Sequence, residues 1–195
     1  ELGPGRGTLL LDALRSAKLV PEFLAAADIH LIEQSAHLKA IQKTTLKDYS
    51  VQWLETTENL PIDLPLIIFG NEFLDALPIR QFTTAQSKWH ERKVTSLSNQ
   101  LTYCETAVKD EKLTSQLPDD LLAKDGAVFE YSAAAHAVIT DLAARFTKIN
   151  GYALFIDYGP DDDSSGDSFQ AVRDHKYADP LADPGQNDLT AHVGF

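Results

Sequence analysis

Methionine is absent from this 195-residue sequence, cysteine occurs once, and basic residues are in the minority. Without methionine there is no initiator, so the expectation is an internal fragment, or a sequence from which selenomethionine positions have been lost. The single Cys104 excludes a disulfide framework and a cysteine-rich zinc ribbon, and reads as a buried structural thiol. The six histidines are scattered, with no pair at i,i+4 on a helix and no cysteine beside them, so no metal site is expected. With 17 basic against 29 acidic residues the formal charge is −12, which argues against a nucleic-acid partner, since phosphate binding needs clustered Lys and Arg. The same charge is compatible with a basic protein segment as partner. No apolar run approaches the roughly 18–20 residues that span a bilayer, and no signal peptide is visible. A water-soluble domain without membrane insertion is expected, with 44% apolar residues to fill a core.

What is present alternates between strand and helix. A glycine-rich turn, Gly3-Pro-Gly5-Arg-Gly7, feeds a helix from Thr8 to about Lys18, with Leu10, Leu14 and Ala17 at helical spacing. Glu1 and Leu2 resemble the last positions of a strand. Asp28–Glu33 reads as a short strand ending in an acid, Ser35–Leu46 as a helix, and Ser50–Leu54 as a weaker strand. Leu64–Phe69 is a continuous apolar run of the kind found in buried parallel strands, and Tyr152–Asp157 is expected to be another. Between them, Gln81–Glu105 alternates polar and apolar residues as antiparallel strands do, 106–125 is a charged connection, Ala127–Tyr131 is a strand and Ala133–Lys148 a helix. From Pro160 the chain is polar and rich in turn residues, and Asp161–Asp167 is expected to be a mobile loop. The pattern predicts an α/β fold with a doubly wound, Rossmann-like sheet, an antiparallel insertion at 81–125, and a tail at 160–195 that covers the substrate side.

In an open α/β sheet, ligands bind beyond the carboxyl ends of the strands. Four such ends carry polar groups here: the glycine turn, Glu33, Asn71-Glu72 and Asp157-Tyr158. A glycine turn followed by an acid at the end of the next strand suits a nucleoside, with backbone cradling one end and a carboxylate taking two ribose hydroxyls. A dinucleotide pattern would require glycine where Thr8 stands, so that reading is weaker. Glu72 and Asp75, three apart beyond a buried strand, either cap a following helix or hold a cationic acceptor.

With Glu1 ahead of Gly3, Gly5 and Gly7, the opening resembles the first motif of class I S-adenosylmethionine-dependent methyltransferases. The blocks Leu31–Ser35, Asn71–Phe82, Asp157–Gly159, Asp167–Arg173, Asp179–Gly185 and Leu189–His192 closely resemble the MidA-like family of that class. The resemblance runs through the whole chain, strongest in those blocks and weak between about residues 85 and 125. It implies S-adenosylmethionine as cofactor, held by Glu1, Gly3, Gly5, Gly7, Glu33 and Asn71, and methylation of a protein arginine, with Glu72, Asp75, Asp157 and Tyr158 on the acceptor side. It implies a protein partner, such as a respiratory complex I subunit in mitochondrial members, the possibility of a homodimer, and further N- and C-terminal parts of the fold. A bacterial member would be cytoplasmic and a eukaryotic one would work in the mitochondrial matrix. The acids Asp174, Asp179 and Asp183 in the tail would attract a basic substrate. Two other classes stay open at this level: a non-catalytic assembly scaffold and a nucleotide-dependent oxidoreductase.

Overall fold

The computed structural model describes residues 1–160 and 166–194. In chain order the first elements are α1 (Thr8–Ala17), α2 (Pro21–Ala26), β1 (Ile29–Ile32), α3 (Ala36–Thr45), β2 (Val51–Leu54) and β3 (Leu66–Asn71). They are followed by β4 (Arg80–Ala85), β5 (Lys88–Leu97), β6 (Gln100–Ala107), α4 (Glu111–Thr114), β7 (Val128–Tyr131) and α5 (Ala133–Phe146). The last are β8 (Gly151–Ile156), β9 (Gln170–Arg173), β10 (Lys176–Ala178) and β11 (Asp188–Thr190). Two compact units result, one of Glu1–Leu74 with His136–Asp157, the other of Asp75–Ala135 with Tyr158–Phe195.

The first unit is the expected parallel sheet. β1 pairs with β2, and β3 with β8, each in parallel. Leu2 lies between the two pairs, bridging Ile32 on one side and Gly70 on the other, again in parallel. Its N–H donates to the carbonyl of Phe69 at 2.9 Å, and the N–H of Gly3 donates to that of Ile32 at 3.1 Å. One face packs Leu2, Ile32 and Ile68 with Leu60 and with Leu142 of α5, and a second cluster gathers Leu10, Leu14, Leu31 and Leu46. Period-3.6 apolar stripes on α1 and α5 and apolar runs in the strands produce these layers.

Two expectations are corrected here. Tyr152–Asp157 is not a buried strand: Tyr152, Leu154 and Ile156 are 81%, 58% and 52% exposed, Ala153 is exposed as well, and Phe155 and Asp157 are only partly buried. β8 pairs only with β3 among the described residues, so it is an edge strand with one side of its ladder unpaired. Cys104, on β6, is partly and not fully buried.

The second unit is antiparallel. Four strands run in the order β6–β5–β4–β7 over a core of Phe82, Trp89, Leu117 and Leu121. Gln86-Ser87 and Ser98-Asn99, the two-residue turns between β4 and β5 and between β5 and β6, have positive φ at both positions, the twist that suits a tight hairpin. The tail, which reads as turns in the sequence, forms a three-stranded sheet in the order β10–β9–β11. Its start is clamped: Glu130 accepts from the N–H groups of Ser168 and Phe169, both at 3.2 Å, and Asp167 accepts from Arg92 at 2.7 Å and Gln81 at 2.8 Å. Most of the expected mobile loop, residues 161–165, lies outside the described residues.

Candidate functional site

The site starts at the glycine turn. Gly3, Gly5 and Gly7 all have left-handed backbone, at φ 58°, 53° and 78°. A Cβ on Gly3 would stand 2.8 Å from Cδ2 of Phe73, whereas one on Gly5 would meet nothing within 4 Å. The turn at Gly5 therefore faces open space that only a glycine leaves clear at this φ. α1 begins directly after Gly7 with no side-chain cap and no acid in its first turn, so its leading N–H groups are available to an anion. Beside them, Oε2 of Glu1 is buried without a hydrogen-bond partner, and burial pushes the Glu1 carboxyl above its ordinary range. A buried acceptor left open in this way suits a ligand donor.

Glu33 follows β1, where the chain leaves the sheet. It is buried, and its carboxylate accepts from the N–H of Ser35 at 2.8 Å and from Nε2 of Gln42 at 3.0 Å. Ser35 also caps α3, accepting from the N–H of Leu38 at 3.3 Å. Gln42, fully buried on α3, gives its second amide hydrogen to the carbonyl of Gly5 at 2.7 Å. Its oxygen accepts from Nε1 of Trp53 on β2 at 2.8 Å. Glycine turn, strand-end acid and neighbouring strand are thus tied through one side chain. Sequence reasoning missed Gln42, although a signal existed. It stands four residues after Leu38 and four before Leu46, a polar residue on the inward stripe of an amphipathic helix.

At the end of β3, Asn71 and Glu72 are exposed. Glu72 has φ 47°, uncommon for a residue with a side chain, and its N–H donates to the carbonyl of Ile156 at 2.8 Å. Asp157 accepts from the N–H of Leu74 at 2.9 Å. These residues belong to the first unit with the glycine turn; Asp75 and Tyr158 belong to the second.

Within the second unit Asp75 is 4% exposed and hydrogen-bonds to Tyr158, whose hydroxyl also lies 3.1 Å from Oγ1 of Thr190. Burial first, and the Asp75 carboxylate as well, push the Tyr158 hydroxyl above its ordinary value, with the bond to Thr190 pulling the other way. Asp75 lines a cavity of about 560 Å³ walled by Leu77, Val94, Tyr103, Phe169 and Leu189. The cations around it are engaged: Arg80 and Lys93 pair with Glu91 at 2.7 and 3.0 Å, and Arg92 with Asp167 at 2.7 Å. Among the described residues, no group of three or more His, Cys, Asp or Glu could hold a metal ion.

A family model described as "Putative S-adenosyl-L-methionine-dependent methyltransferase" matches residues 1–195. The chain belongs to that methyltransferase family. Curated relatives include the mitochondrial protein arginine methyltransferase NDUFAF7 homolog of Caenorhabditis elegans, 32% identical over the whole of this chain and 50% of its own length. The Homo sapiens protein arginine methyltransferase NDUFAF7, also mitochondrial, is 32% identical over the whole chain and 49% of its own. The chain therefore spans about half the length of the curated relatives it matches. A crystal structure of a Burkholderia thailandensis protein bound to S-adenosyl-homocysteine superposes with a TM-score of 0.77 at 25% identity, covering 98% of this chain and 51% of that one. The methyltransferase fold accounts for the parallel order of the first unit, with its glycine turn at the carboxyl end of the sheet.

Proposed function

We propose that the protein containing this chain transfers a methyl group from S-adenosylmethionine to an arginine of a protein substrate. The observation that carries the reading is the left-handed Gly5, with open space above it, next to an uncapped helix N-terminus and the buried Glu33. These groups fit the parts of the cofactor by their chemistry. The leading N–H groups of α1 suit its carboxylate, the open oxygen of Glu1 suits its ammonium, and Glu33 suits its ribose hydroxyls, each oxygen keeping a lone pair beside the bond it already accepts. Asn71, exposed at the end of β3, completes the proposed set.

When bound, S-adenosylmethionine supplies an electrophilic methyl group on a sulfonium centre. The chain's own residues must hold the acceptor nitrogen and take charge from it, since an arginine side chain is almost fully protonated at neutral pH, with a pKa of about 12 or higher. Glu72 suits this role, because the left-handed backbone at a strand's carboxyl end is an unfavourable conformation, and such conformations gather at functional sites. Asp75 in the second unit lines a cavity of mixed wall, where Leu77, Val94 and Phe169 would suit an aliphatic stem and the neighbouring cations are already paired with Glu91 and Asp167. Tyr158 keeps its proton and donates toward Asp75, and Asp157 holds the turn that carries Glu72. The tail strands, clamped through Glu130, supply Phe169 and Leu189 to the cavity wall, which supports a substrate-side role for residues 160–195. The test is calorimetric titration of the full-length protein with S-adenosylmethionine, then mass spectrometry of methylated arginine in substrate proteins. Absence of saturable binding would overturn the reading.

A further inference from the structure

We infer that Gln42 is a positioning residue that sets the spacing between the glycine turn and the ribose-binding acid, and thereby the site's preference for a ligand with an intact ribose. The inference rests on the proposed role of Glu33 as the ribose partner.

Four observations carry it. Gln42 has no exposed surface, so each of its polar atoms must be satisfied within the protein. Each polar atom is engaged: one amide hydrogen to Gly5 at 2.7 Å, the other to Glu33 at 3.0 Å, and the oxygen accepting from Trp53 at 2.8 Å. The amide has only one chemically consistent orientation. The indole N–H of Trp53 can only donate, and the Gly5 carbonyl and the Glu33 carboxylate can only accept, so the oxygen must face Trp53 and the nitrogen must face the other two. Finally, the two groups it joins belong to separate segments, 37 and 9 residues before Gln42 in the chain. One rigid amide thus fixes the Gly5 carbonyl and a Glu33 oxygen relative to each other. The second Glu33 oxygen is fixed independently by Ser35, so the carboxylate cannot turn about its own axis.

A glutamate so held presents its remaining lone pairs in one direction, which suits a rigid pair of hydroxyls. Without Gln42 the carboxylate would lose half of that restraint and gain a buried, unsatisfied oxygen.

The experiment compares S-adenosylhomocysteine with its 2′,3′-dideoxy analogue, both titrated into the full-length protein and its Gln42→Leu variant. The wild type is expected to bind the complete ligand about tenfold or more tighter than the dideoxy one. In Gln42→Leu that ratio is expected to collapse toward one, whatever affinity both ligands lose through the slackened Gly5 turn. Equal weakening of both ligands with the ratio retained would overturn the positioning role while leaving Glu33 as ribose partner. A wild type that binds both ligands alike would overturn the Glu33 reading itself, and this inference with it. Should Gln42→Leu fail to fold, Gln42→Met carries the same test, because an unbranched side chain of similar size fills the space and offers no donor to Gly5 or Glu33. A smaller ratio than in the wild type is expected there, and an unchanged ratio overturns the inference.

Discussion

The backbone N–H of Leu74 donates to the carboxylate of Asp157 at 2.9 Å, joining the ends of two neighbouring parallel strands that lie 83 residues apart in the chain. The bond fixes the turn that leaves β3, the same turn on which Glu72 adopts its left-handed conformation. Asp157→Ala should therefore destabilise the protein by about 1–3 kcal/mol, the range for losing a hydrogen bond to a charged group. Asp157→Asn, which keeps an acceptor oxygen, should recover much of that. Denaturant midpoints of the two variants check the ordering, and an alanine variant as stable as wild type would contradict it.

Gly3 and Gly5 share a backbone conformation but should fail differently. Gly3→Ala combines left-handed strain with a contact against Phe73, and should cost about 1–3 kcal/mol of stability. A Cβ at Gly5 meets no atom within 4 Å, so Gly5→Val should cost chiefly the strain of a branched residue in left-handed backbone, about 1–2 kcal/mol or more, while removing S-adenosylmethionine binding. Thermal unfolding and ligand titration on the same two proteins separate the effects. Full affinity in Gly5→Val would show that the turn does not hold the ligand.

Glu33→Ala should weaken S-adenosylmethionine binding by about 1.5–3 kcal/mol if its carboxylate accepts from two ribose hydroxyls. Because Glu33 also accepts from Ser35 and Gln42, some loss of thermal stability should accompany it. An unchanged dissociation constant would return Glu33 to a purely structural role.

The ion pair at the cavity wall gives a pH dependence. Hydrogen bonding from Arg80, more than the opposing burial, holds the Glu91 carboxyl below its ordinary value, with Lys93 adding to the effect. Below that ordinary value the unfolded chain binds more protons than the folded one, so stability rises with pH across this window. The contribution is complete above about pH 4.5 and is lost as pH falls through the lower folded value. Glu91→Gln should flatten the acid side of the stability profile, measured as urea midpoints from about pH 3 to about pH 7. An unchanged slope would show that Glu91 gains nothing from Arg80.

The parts of the fold legible in the sequence are those with long periodic signals or unusual residues. β3 announces itself as an uninterrupted apolar run, α1 and α5 as helical stripes, and the turn by three glycines in five residues. α2 is invisible there, since Pro21–Ala26 is too short to show a period and buries no residue fully. The strands of the tail are only three or four residues long, and they exist because β9 finds two partners, which no local pattern announces. Glu33 could be placed because strand ends are legible. For Gln42 only the inward position on α3 is legible; its role is not, because its three partners come from three separate segments.

The left-handed backbone of Glu72 sets two selective pressures against each other. Glycine tolerates φ 47° without a side-chain penalty, so Glu72→Gly should leave the fold as stable as before or up to about 1 kcal/mol more so. A population of variants propagated under heat alone would drift toward glycine at this position, and one propagated for turnover would keep the acid if Glu72 holds the acceptor as proposed. The frequency of glycine at position 72 under the two regimes would measure, in survivors, how much folding strain this protein tolerates for the sake of its chemistry.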